Sequence, residues 1–353
     1  MERFRANTSA LAASCRGLIR AIVVAAVLAG VAGVARAEDS TYFRIGTAGT
    51  AGTYFAVGGI IATAISSPPG SPNCQHGTLC GVPGLISVAQ ATQGSVENVG
   101  LIGKKQLEGA LAQADVASWA YAGTGVFKSL GAVPNLRAIA ALFPESLHLV
   151  VPRDSPIKTL HDLKGKRVSL GEKESGTLVD SRILLDLVGL SEHDLKPDYS
   201  RLADAASGLR ENLFDAFFLF GGYPVPAVAD LAASTPIRLV SIEADLFEKL
   251  RKHYPYFTRT DIPAGTYAGF DSETETVGIN ALFVVGAEIP EPLVYAITKS
   301  LWDDATRHLL ASRHPMGQRI SLQHALDGVA IPLHPGAERY YREAGILNEA
   351  TKP

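Results

Sequence analysis

Several features that mark particular protein classes are missing from this 353-residue sequence. It has no run rich in lysine and arginine and a formal net charge of −3, so nothing in it favours nucleic-acid binding. It has no Gly-x-Ser-x-Gly and no His-Glu-x-x-His sequence, the signatures of many serine hydrolases and zinc proteases. With 47 % hydrophobic and 19 % charged residues, the chain is too apolar for a disordered protein and predicts a globular one of about two domains.

A long hydrophobic span is also missing near the N-terminus. The apolar run from Ala21 to Val34 has 14 residues, whereas a membrane-spanning helix needs about 20. Four arginines precede this run and Ala35-Arg36-Ala37 follows it, which is the order of a secretory signal and its cleavage site. We predict a signal peptide over 1–37, cleaved after Ala37, and a periplasmic mature protein; an uncleaved anchor helix is the alternative.

The sequence has only three cysteines, and Cys15 would leave with the signal peptide. In an oxidising compartment the remaining pair, Cys74 and Cys80, predicts a disulfide that closes a short surface loop. The alternative is a metal site that includes His76, although this spacing matches no zinc motif. We therefore expect a disulfide, no metal and no cofactor.

Short apolar stretches alternate along the chain with stretches compatible with helices, which predicts an α/β protein with parallel strands. Strands are expected at 42–46, 85–88, near 111–112, and at 136–140, 148–151, 167–170, 214–220, 237–242 and 277–285. Helices are expected at 53–65, 95–110, 116–121, 159–164, 178–189, 226–233 and 292–308.

Two of these stretches, His148–Val151 and Val277–Val285, bracket the second half of the series. If they cross between two α/β lobes, the second lobe is an insertion in the first, and a ligand cleft lies between them. We expect lobe I at 38–148 and 284–353, and lobe II at 149–283.

Three loops are candidates for ligand binding because each follows a strand and opens a helix. The glycine-rich loop at 46–54 lets the backbone approach a ligand, and amides at the helix start attract an anion. Its glycine spacing does not match the dinucleotide fingerprint, and no Gly-Lys-Ser/Thr follows. The loops at 173–177 and 220–224 also lie between a predicted strand and a predicted helix. In the first of them, Ser175 and Thr177 could simply cap the helix. Open α/β sheets bind ligands at the carboxyl ends of their strands.

The segment Gly46–Tyr54, followed by Gly58-Gly59, resembles the opening motif of TAXI-type solute-binding proteins, the periplasmic receptors of one branch of TRAP transporters. The resemblance continues in order through 94–98, 113–117, 160–168, 175–177, 214–224 and 331–341. It implies a type II periplasmic-binding-protein fold, in which hinge strands join two α/β lobes around a ligand cleft. It also implies delivery of a small molecule to a TRAP membrane permease, and we expect a monomer.

The same resemblance implies a set of ligand contacts: Thr47, Ala48, Gly49, Thr50, Thr53, Tyr54, Asn98, Gln113, Ser175, Gly176, Thr177, Gly221, Gly222 and Tyr223. Asn98 and Gln113 could also be ordinary surface amides. The ligand is expected to be a small carboxylate or an amino acid, of the glutamate or 2-oxoglutarate type. Because the loops contain no arginine, we expect backbone amides and hydroxyl groups at the helix starts to hold the carboxylate.

Two other function classes stay open. A receptor that reports its ligand to a signalling partner would close around a solute in the same way. An enzyme on the same fold is the other alternative, but the histidines are scattered and none has a partner nearby in the sequence. Asp215, at the start of an apolar strand, is interpreted as structural. We predict a binding protein, not an enzyme.

Overall fold

A mixed β-sheet runs through the computed structural model, which describes residues 40–75 and 78–347. The predicted signal peptide lies outside the described residues. The strands of the described residues form this main sheet and a separate short pair, β2 with β3. They are β1 Thr41–Gly46, β2 Ser66–Ser67, β3 Val82–Pro83, β4 Leu85–Gln90, β5 Gly109–Gln113, β6 Leu136–Pro152, β7 Arg167–Ser169, β8 Lys196–Asp198, β9 Ala216–Gly221, β10 Ile237–Leu239, β11 Thr258–Ile262 and β12 Thr274–Gly286. The main sheet has the order β4-β1-β5-β12-β6-β9-β7-β8, with β10 on β6 and β11 on β12.

Helices pack on both faces of this sheet. They are α1 Thr53–Ile65, α2 Ser95–Gly103, α3 Ala114–Ala122, α4 Phe127–Leu130, α5 Gly176–Leu187, α6 Leu202–Arg210, α7 Pro226–Ser234, α8 Ala244–His253, α9 Glu291–Leu301, α10 Asp304–Arg313 and α11 Pro335–Glu343, with 3₁₀ turns at Leu160–Leu163, Glu192–Asp194, Pro315–Arg319 and Leu322–His324. Alternate residues of β5 and β12 enter two different apolar clusters, so both faces are buried there. Among residues 40–75 and 78–347, no helix combines the length and apolar character needed to cross a bilayer.

The sheet consists of two halves with the same strand order. In the first half β4, β1 and β5 are parallel neighbours, and β12 runs antiparallel between β5 and β6. In the second half β8, β7 and β9 are parallel neighbours, and β6 runs antiparallel between β9 and β10. When the strands of each half are numbered along the chain, they lie side by side in the order second, first, third, crossing strand, fourth. Strand β6 is the fourth strand of the first half and the crossing strand of the second. The predicted α/β fold class is confirmed.

The long strand β6 corrects one sequence prediction. The apolar pattern predicts separate strands at 136–140 and 148–151. The structure has one strand of 17 residues, which pairs with β12 up to Ser146 and with β9 from Ser146 onward. The pairing with β12 has two register irregularities, one between Ala138 and Ala140 and one between Ala141 and Phe143 of β6, and it is regular from Phe143 to Ser146.

Two helix predictions were too long. The helix expected at 95–110 ends at Gly103, and after a short connection β5 begins at Gly109. The helix expected at 292–308 is two helices, because the Asp303 side chain caps α10 by accepting a hydrogen bond from the Ala305 amide at 2.9 Å. Helices α4, α6, α8 and α11 were not predicted.

The lobe boundaries stay a prediction, and the structure gives the points where the pairing changes. Strand β6 exchanges β12 for β9 at Ser146, two residues before the expected boundary. Strand β12 pairs with β11 up to Gly278 and with β5 from Ala281. Both long strands thus pass from one half to the other, which is the arrangement expected of hinge strands.

The cysteine loop lies beyond the carboxyl end of α1. Cys74 and Cys80 are joined by a disulfide, with their Cα atoms 4.9 Å apart. His76, which the alternative metal site requires, lies outside the described residues. The described part of the chain contains no group of three or more His, Cys, Asp or Glu side chains placed to hold a metal ion.

Candidate ligand-binding site

A cavity of about 80 Å³ lies where the carboxyl ends of the parallel strands of both halves meet. Connections in matching positions line it. The first strands, β1 and β7, are followed by the lining segments 48–54 and 171–177. The second strands, β4 and β8, are followed by 93–95 and 200–202. The third strands, β5 and β9, contribute their last residues, Gln113 and Gly221. The two halves therefore contribute equivalent edges to one site, as expected for ligands bound at the carboxyl ends of strands.

Hydrogen bonds cross from one half to the other around this cavity. The Thr53 hydroxyl donates to the Gly222 carbonyl at 2.5 Å. The amides of Val96 and Glu97 both donate to the Glu174 carbonyl, at 3.1 and 3.2 Å. Because these contacts lie on separate connections, they hold the two edges together in a closed arrangement.

Three helices begin at the cavity wall. Helices α1 and α2 start after Gly52 and Gly94, which have no side chain to cap the first amides, but in α2 the Val96 and Glu97 amides already donate to the Glu174 carbonyl. At α5 the Ser175 hydroxyl accepts from the Leu178 amide at 3.1 Å, so the amides of the first two residues of the helix receive no cap from it. The first amides of a helix lack intrahelical partners and favour an anion. This part of the wall can therefore receive a negatively charged group.

Nine of the fourteen predicted contact residues line the cavity. They are Ala48, Gly49, Thr53, Tyr54, Gln113, Ser175, Gly176, Thr177 and Gly221. The position of Gly176 requires glycine, since a Cβ atom there would lie 1.4 Å from Gln113 Oε1. None of these positions has been tested as a ligand contact, so their role stays a prediction.

Thr47 and Asn98 lie outside the cavity and support its glycine loop. The Thr47 hydroxyl donates to the Gln90 carbonyl at 2.8 Å. Asn98 is fully buried, and its Nδ2 donates to the carbonyls of Thr47 and Leu111, both at 2.7 Å. Asn98 is therefore a positioning residue for the loop in this structure.

The remaining three predicted contacts also lie outside the cavity. Thr50 faces a neighbouring groove that contains Glu172 and Arg201. Gly222 packs so closely on Phe143 that a Cβ atom would lie 2.9 Å from the ring. The Tyr223 hydroxyl accepts a hydrogen bond from the guanidinium of Arg319 at 2.7 Å.

Carboxyl groups that the sequence reading missed form the floor of the site. Glu145, on β6, lines the cavity and is 3 % exposed. Its closest partner is the Tyr54 hydroxyl, 3.3 Å away. Asp115 and Asp180 are fully buried behind Gln113, whose Nε2 donates to Asp180 Oδ2 at 2.8 Å. Asp115 lay inside a segment used for the resemblance, but no pattern pointed to Glu145, which sits inside a strand and beside a proline.

Burial shifts the titration of these groups strongly. Desolvation raises the pKa of Glu145 well above its usual range, and the nearby charge of Asp115 adds to the shift. Burial raises the pKa of Asp115 to about 6, although a hydrogen bond with Asp180 opposes the shift. Burial raises the pKa of Asp180 further, and the negative charge of Asp115 acts in the same direction. The floor is therefore a set of carboxyl groups that retain protons more readily than exposed ones.

His148, two residues beyond Glu145, is engaged elsewhere. Its Nδ1 lies 2.9 Å from the Ser146 carbonyl and its Nε2 lies 2.8 Å from the Tyr267 hydroxyl. Burial lowers the pKa of His148 to about 4, so the ring is neutral near pH 7. The histidine supports β6 and the segment after β9, since Tyr267 also accepts from the Val225 amide at 2.9 Å.

No lysine or arginine lines the cavity in the part of the chain that the structure describes. Arg167 pairs with Asp215 at 2.6 Å, which gives Asp215 the structural role expected for it. Arg182 pairs with Glu192 at 2.8 Å on the exposed side of α5. A ligand anion at the helix starts thus meets backbone amides and hydroxyl groups instead of a guanidinium.

Comparison with known protein families identifies the chain at the family level. The sequence model of the NMT1-like family matches residues 45–345, which is most of the chain. The chain belongs to the NMT1-like family. The matched region of this NMT1-like protein contains both halves of the sheet and every residue that lines the cavity.

Several solved structures are similar to this NMT1-like protein at low sequence identity. The alkanesulfonate-binding protein SsuA of Xanthomonas axonopodis pv. citri, bound to MOPS, is 17 % identical, with 86 % of this chain and 84 % of that chain covered and a TM-score of 0.47. A binding protein component of an ABC phosphonate transporter from Pseudomonas aeruginosa is 11 % identical, with coverages of 82 % and 84 % and a TM-score of 0.46. A putative L-cystine ABC transporter protein from Listeria monocytogenes is 14 % identical, with coverages of 80 % and 98 % and a TM-score of 0.44.

Proposed function

We propose that the protein is an extracytoplasmic solute-binding protein that closes around a small organic anion or an amino acid. The observation that carries this proposal is the cavity lined by matching connections from two halves of one sheet. A predicted signal peptide at 1–37 supports a periplasmic location. The resemblance to TAXI proteins points to ligands of the glutamate or 2-oxoglutarate type.

The chemistry of the cavity favours binding over catalysis. Hydroxyl groups of Thr53, Ser95 and Ser169 line it. The nearest histidine along β6, His148, is neutral and bonded to Ser146 and Tyr267, so it is not available to activate a hydroxyl. Turnover of a bound ligand by the purified protein would favour the enzyme alternative instead.

A thermal-shift screen tests the proposed binding function. Ligand that binds the folded state at 100 times its Kd adds about 2.7 kcal/mol of stability. We expect one or a few compounds among amino acids, dicarboxylic acids, 2-oxo acids and sulfonates to raise the unfolding temperature in a saturable manner. Neutral sugars, which offer no group for the helix starts, are the control. If no acid binds by this method or by calorimetry, the proposed function is wrong.

We further propose that the closed, loaded protein delivers its ligand to a membrane permease. The TAXI resemblance favours a TRAP-type permease. Deletion of the gene should abolish high-affinity uptake of the ligand identified above. Collapse of the sodium gradient should then stop uptake in the parent strain, whereas uptake that follows ATP and ignores sodium would indicate an ABC-type permease. Unchanged uptake together with a lost transcriptional response would favour the sensory alternative.

A further inference from the structure

The cavity has two chemically different ends. The starts of α1 and α5 present amides on one part of the wall, while the carboxyl group of Glu145 occupies the floor. Amides and helix dipoles favour a negative group. A buried carboxyl group with no cation beside it favours a hydrogen-bond donor, above all a cationic one.

Glu145 has no cationic donor among the described residues. It takes part in no ion pair there, and its hydrogen bond with the Tyr54 hydroxyl is long at 3.3 Å. The groups that face it are the Tyr54 hydroxyl, the Gln113 amide and the carboxyl of Asp115, with Asp180 behind. None of these is a cation. A carboxyl group that is 97 % buried would gain a counter-charge only from a bound molecule.

Two further polar atoms of the cavity are also without partners. Gln113 is 2 % exposed, and its Oε1 atom has no hydrogen-bond partner, although its Nε2 is held by Asp180. Because that bond fixes the amide orientation, Oε1 is left as an acceptor. The hydroxyl of Ser169, 1 % exposed, is unpaired as well. Buried polar atoms rarely remain unsatisfied unless a ligand or water completes them.

The approach to the cavity is acidic too. Glu172 lines both the cavity and the adjoining groove, where Glu97 and Asp204 outnumber the single Arg201. A second carboxylate on the ligand would therefore meet the carboxyl groups of the floor or the acidic side chains of the adjoining groove, with no cation at the floor to pair with it. On the remaining side the wall is apolar, with Phe218, Leu219 and Phe220.

We propose that the ligand carries one anionic group and a protonated amine, and that Glu145 and Gln113 Oε1 receive the amine. This inference rests on the proposed function and narrows it to amino acids with an uncharged side chain, in preference to dicarboxylates or 2-oxo acids. Glu145 is the residue that determines this specificity.

Matched ligand pairs test the proposal by calorimetry. Each amino acid is measured beside the acid that lacks its amine: L-valine with 3-methylbutanoate, L-glutamine with glutaramate, L-glutamate with glutarate, and taurine with ethanesulfonate. We expect the best amine-bearing ligand to bind at least tenfold more tightly than its partner, and to have no second acidic group. The proposal is overturned if the amine-free partner binds as tightly, or if glutarate or 2-oxoglutarate is the best ligand.

The variant Glu145→Gln keeps the shape of the side chain and removes the charge. We expect the variant to bind the amine-bearing ligand at least tenfold more weakly than wild type does. Its affinities for the two members of the ligand pair should then differ by no more than about threefold. Glu108→Gln, which alters a carboxylate paired with Arg44 outside the cavity, should leave both affinities unchanged. Retained discrimination in Glu145→Gln contradicts the role of Glu145. Absence of binding by every compound, in a wild-type protein with a normal unfolding transition, instead contradicts the proposed function itself.

Proton release gives a second, independent readout. Burial raises the pKa of Glu145 in the free protein, whereas a bound ammonium group would lower it and so favour loss of the carboxyl proton. Binding enthalpies measured in two buffers of different ionisation heat should reveal net proton release in the wild type and less in Glu145→Gln. Affinity should accordingly fall as the pH is lowered through the pKa of Glu145. No proton release, with unchanged affinity across pH, would contradict the proposal.

Discussion

Asp115 and Asp180 show how single residues couple the two halves of the sheet. Asp115 lies on α3 of the first half and Asp180 on α5 of the second, and both are fully buried. Asp115 Oδ2 and Asp180 Oδ1 have no other hydrogen-bond partner, so a proton held between the two carboxyl groups satisfies both oxygens. Ionisation of both groups would place two unscreened charges side by side.

The variant Asp180→Asn should therefore stabilise the protein at alkaline pH. A carboxyl group whose pKa is raised on folding contributes its stability below its unfolded pKa and loses it as the pH rises through its folded pKa, about 6 for Asp115. Asparagine cannot ionise and can still donate to Asp115. We expect the unfolding temperature of the variant, relative to wild type, to be higher by a few degrees at pH 8 than at pH 5.

Asp215→Asn is the matched control, with the opposite expectation. Hydrogen bonds from Arg167 lower the pKa of Asp215, so its contribution is present above its unfolded pKa and lost only in acid. This variant should lose stability at pH 8 and lose less at low pH. Equal shifts for Asp180→Asn at both pH values would show that the carboxyl pair does not share a proton.

At the residue scale the sequence indicated the groups at the loops between strands and helices, and it missed the buried carboxyl groups inside a strand and inside two helices. Gln113 and Ser175–Thr177 stand where strands end and helices begin, and that position is readable from the apolar pattern. Glu145 stands in the middle of β6, after Pro144, in a stretch that local pattern assigns to a connection. Its burial results from long-range pairing with β12, which no local signal encodes.

At the scale of elements, we expect the ligand anion to bind at the starts of the helices in the cavity wall. Gly176→Asp cannot test it, because the new Cβ atom would collide with Gln113 Oε1. Gly49 is a better position, since its Cβ atom would lie 3.4 Å from the nearest atom, Glu172 Oε1, which is ordinary contact.

We expect Gly49→Asp to weaken binding of an anionic ligand at least tenfold relative to Gly49→Asn. The two side chains have the same shape, so the difference isolates the charge beside the start of α1. Tenfold corresponds to about 1.4 kcal/mol. Calorimetry with the ligand found in the screen measures both variants. Equal affinities would place the ligand anion away from this helix start.

Helix α1 also separates the cavity from the disulfide loop. Its first residues line the cavity, its last residue precedes β2, and 13 residues of helix span about 20 Å. No described residue between 55 and 92 lines the cavity. The double variant Cys74→Ser, Cys80→Ser should therefore change ligand affinity less than threefold while lowering the unfolding temperature. Non-reducing peptide mapping checks the bond in the wild type, and a large loss of affinity would mean that the loop reaches the site.

Element prediction succeeded where the local signals agreed. Helix α1 has the predicted bounds because Gly52 precedes an uninterrupted series of helix-compatible residues and Ser66 ends it. Strand β6 was predicted as two short strands, whereas its pairing with β12 and then with β9 makes it one strand of 17 residues. Tertiary pairing thus decided the bounds of the strand that we expect to act as a hinge.

For the whole molecule, closure of the two halves is the property that the site requires. In the described structure the two edges of the cavity are in contact: the Thr53 hydroxyl is hydrogen-bonded to the Gly222 carbonyl, and the Glu174 carbonyl to amides at the start of α2. We expect the ligand-free protein in solution to be more open, because a ligand that contacts both halves shifts the population toward the closed state.

Small-angle scattering should show a smaller radius of gyration on addition of the ligand. A compound that fails to bind in the screen should leave the radius unchanged. A radius of gyration that is the same with and without ligand, at saturating concentration, would mean that binding does not depend on closure.

The exchange of strand partners shows where this motion is expected to occur. Near Glu145, β6 changes from β12 to β9, and β12 changes from β11 to β5. Because the two halves share only these two strands at that line, we expect the sheet to bend there. A ligand group that contacts Glu145 would then act close to the bending line, where a small displacement produces a larger movement at the outer edges of the two halves.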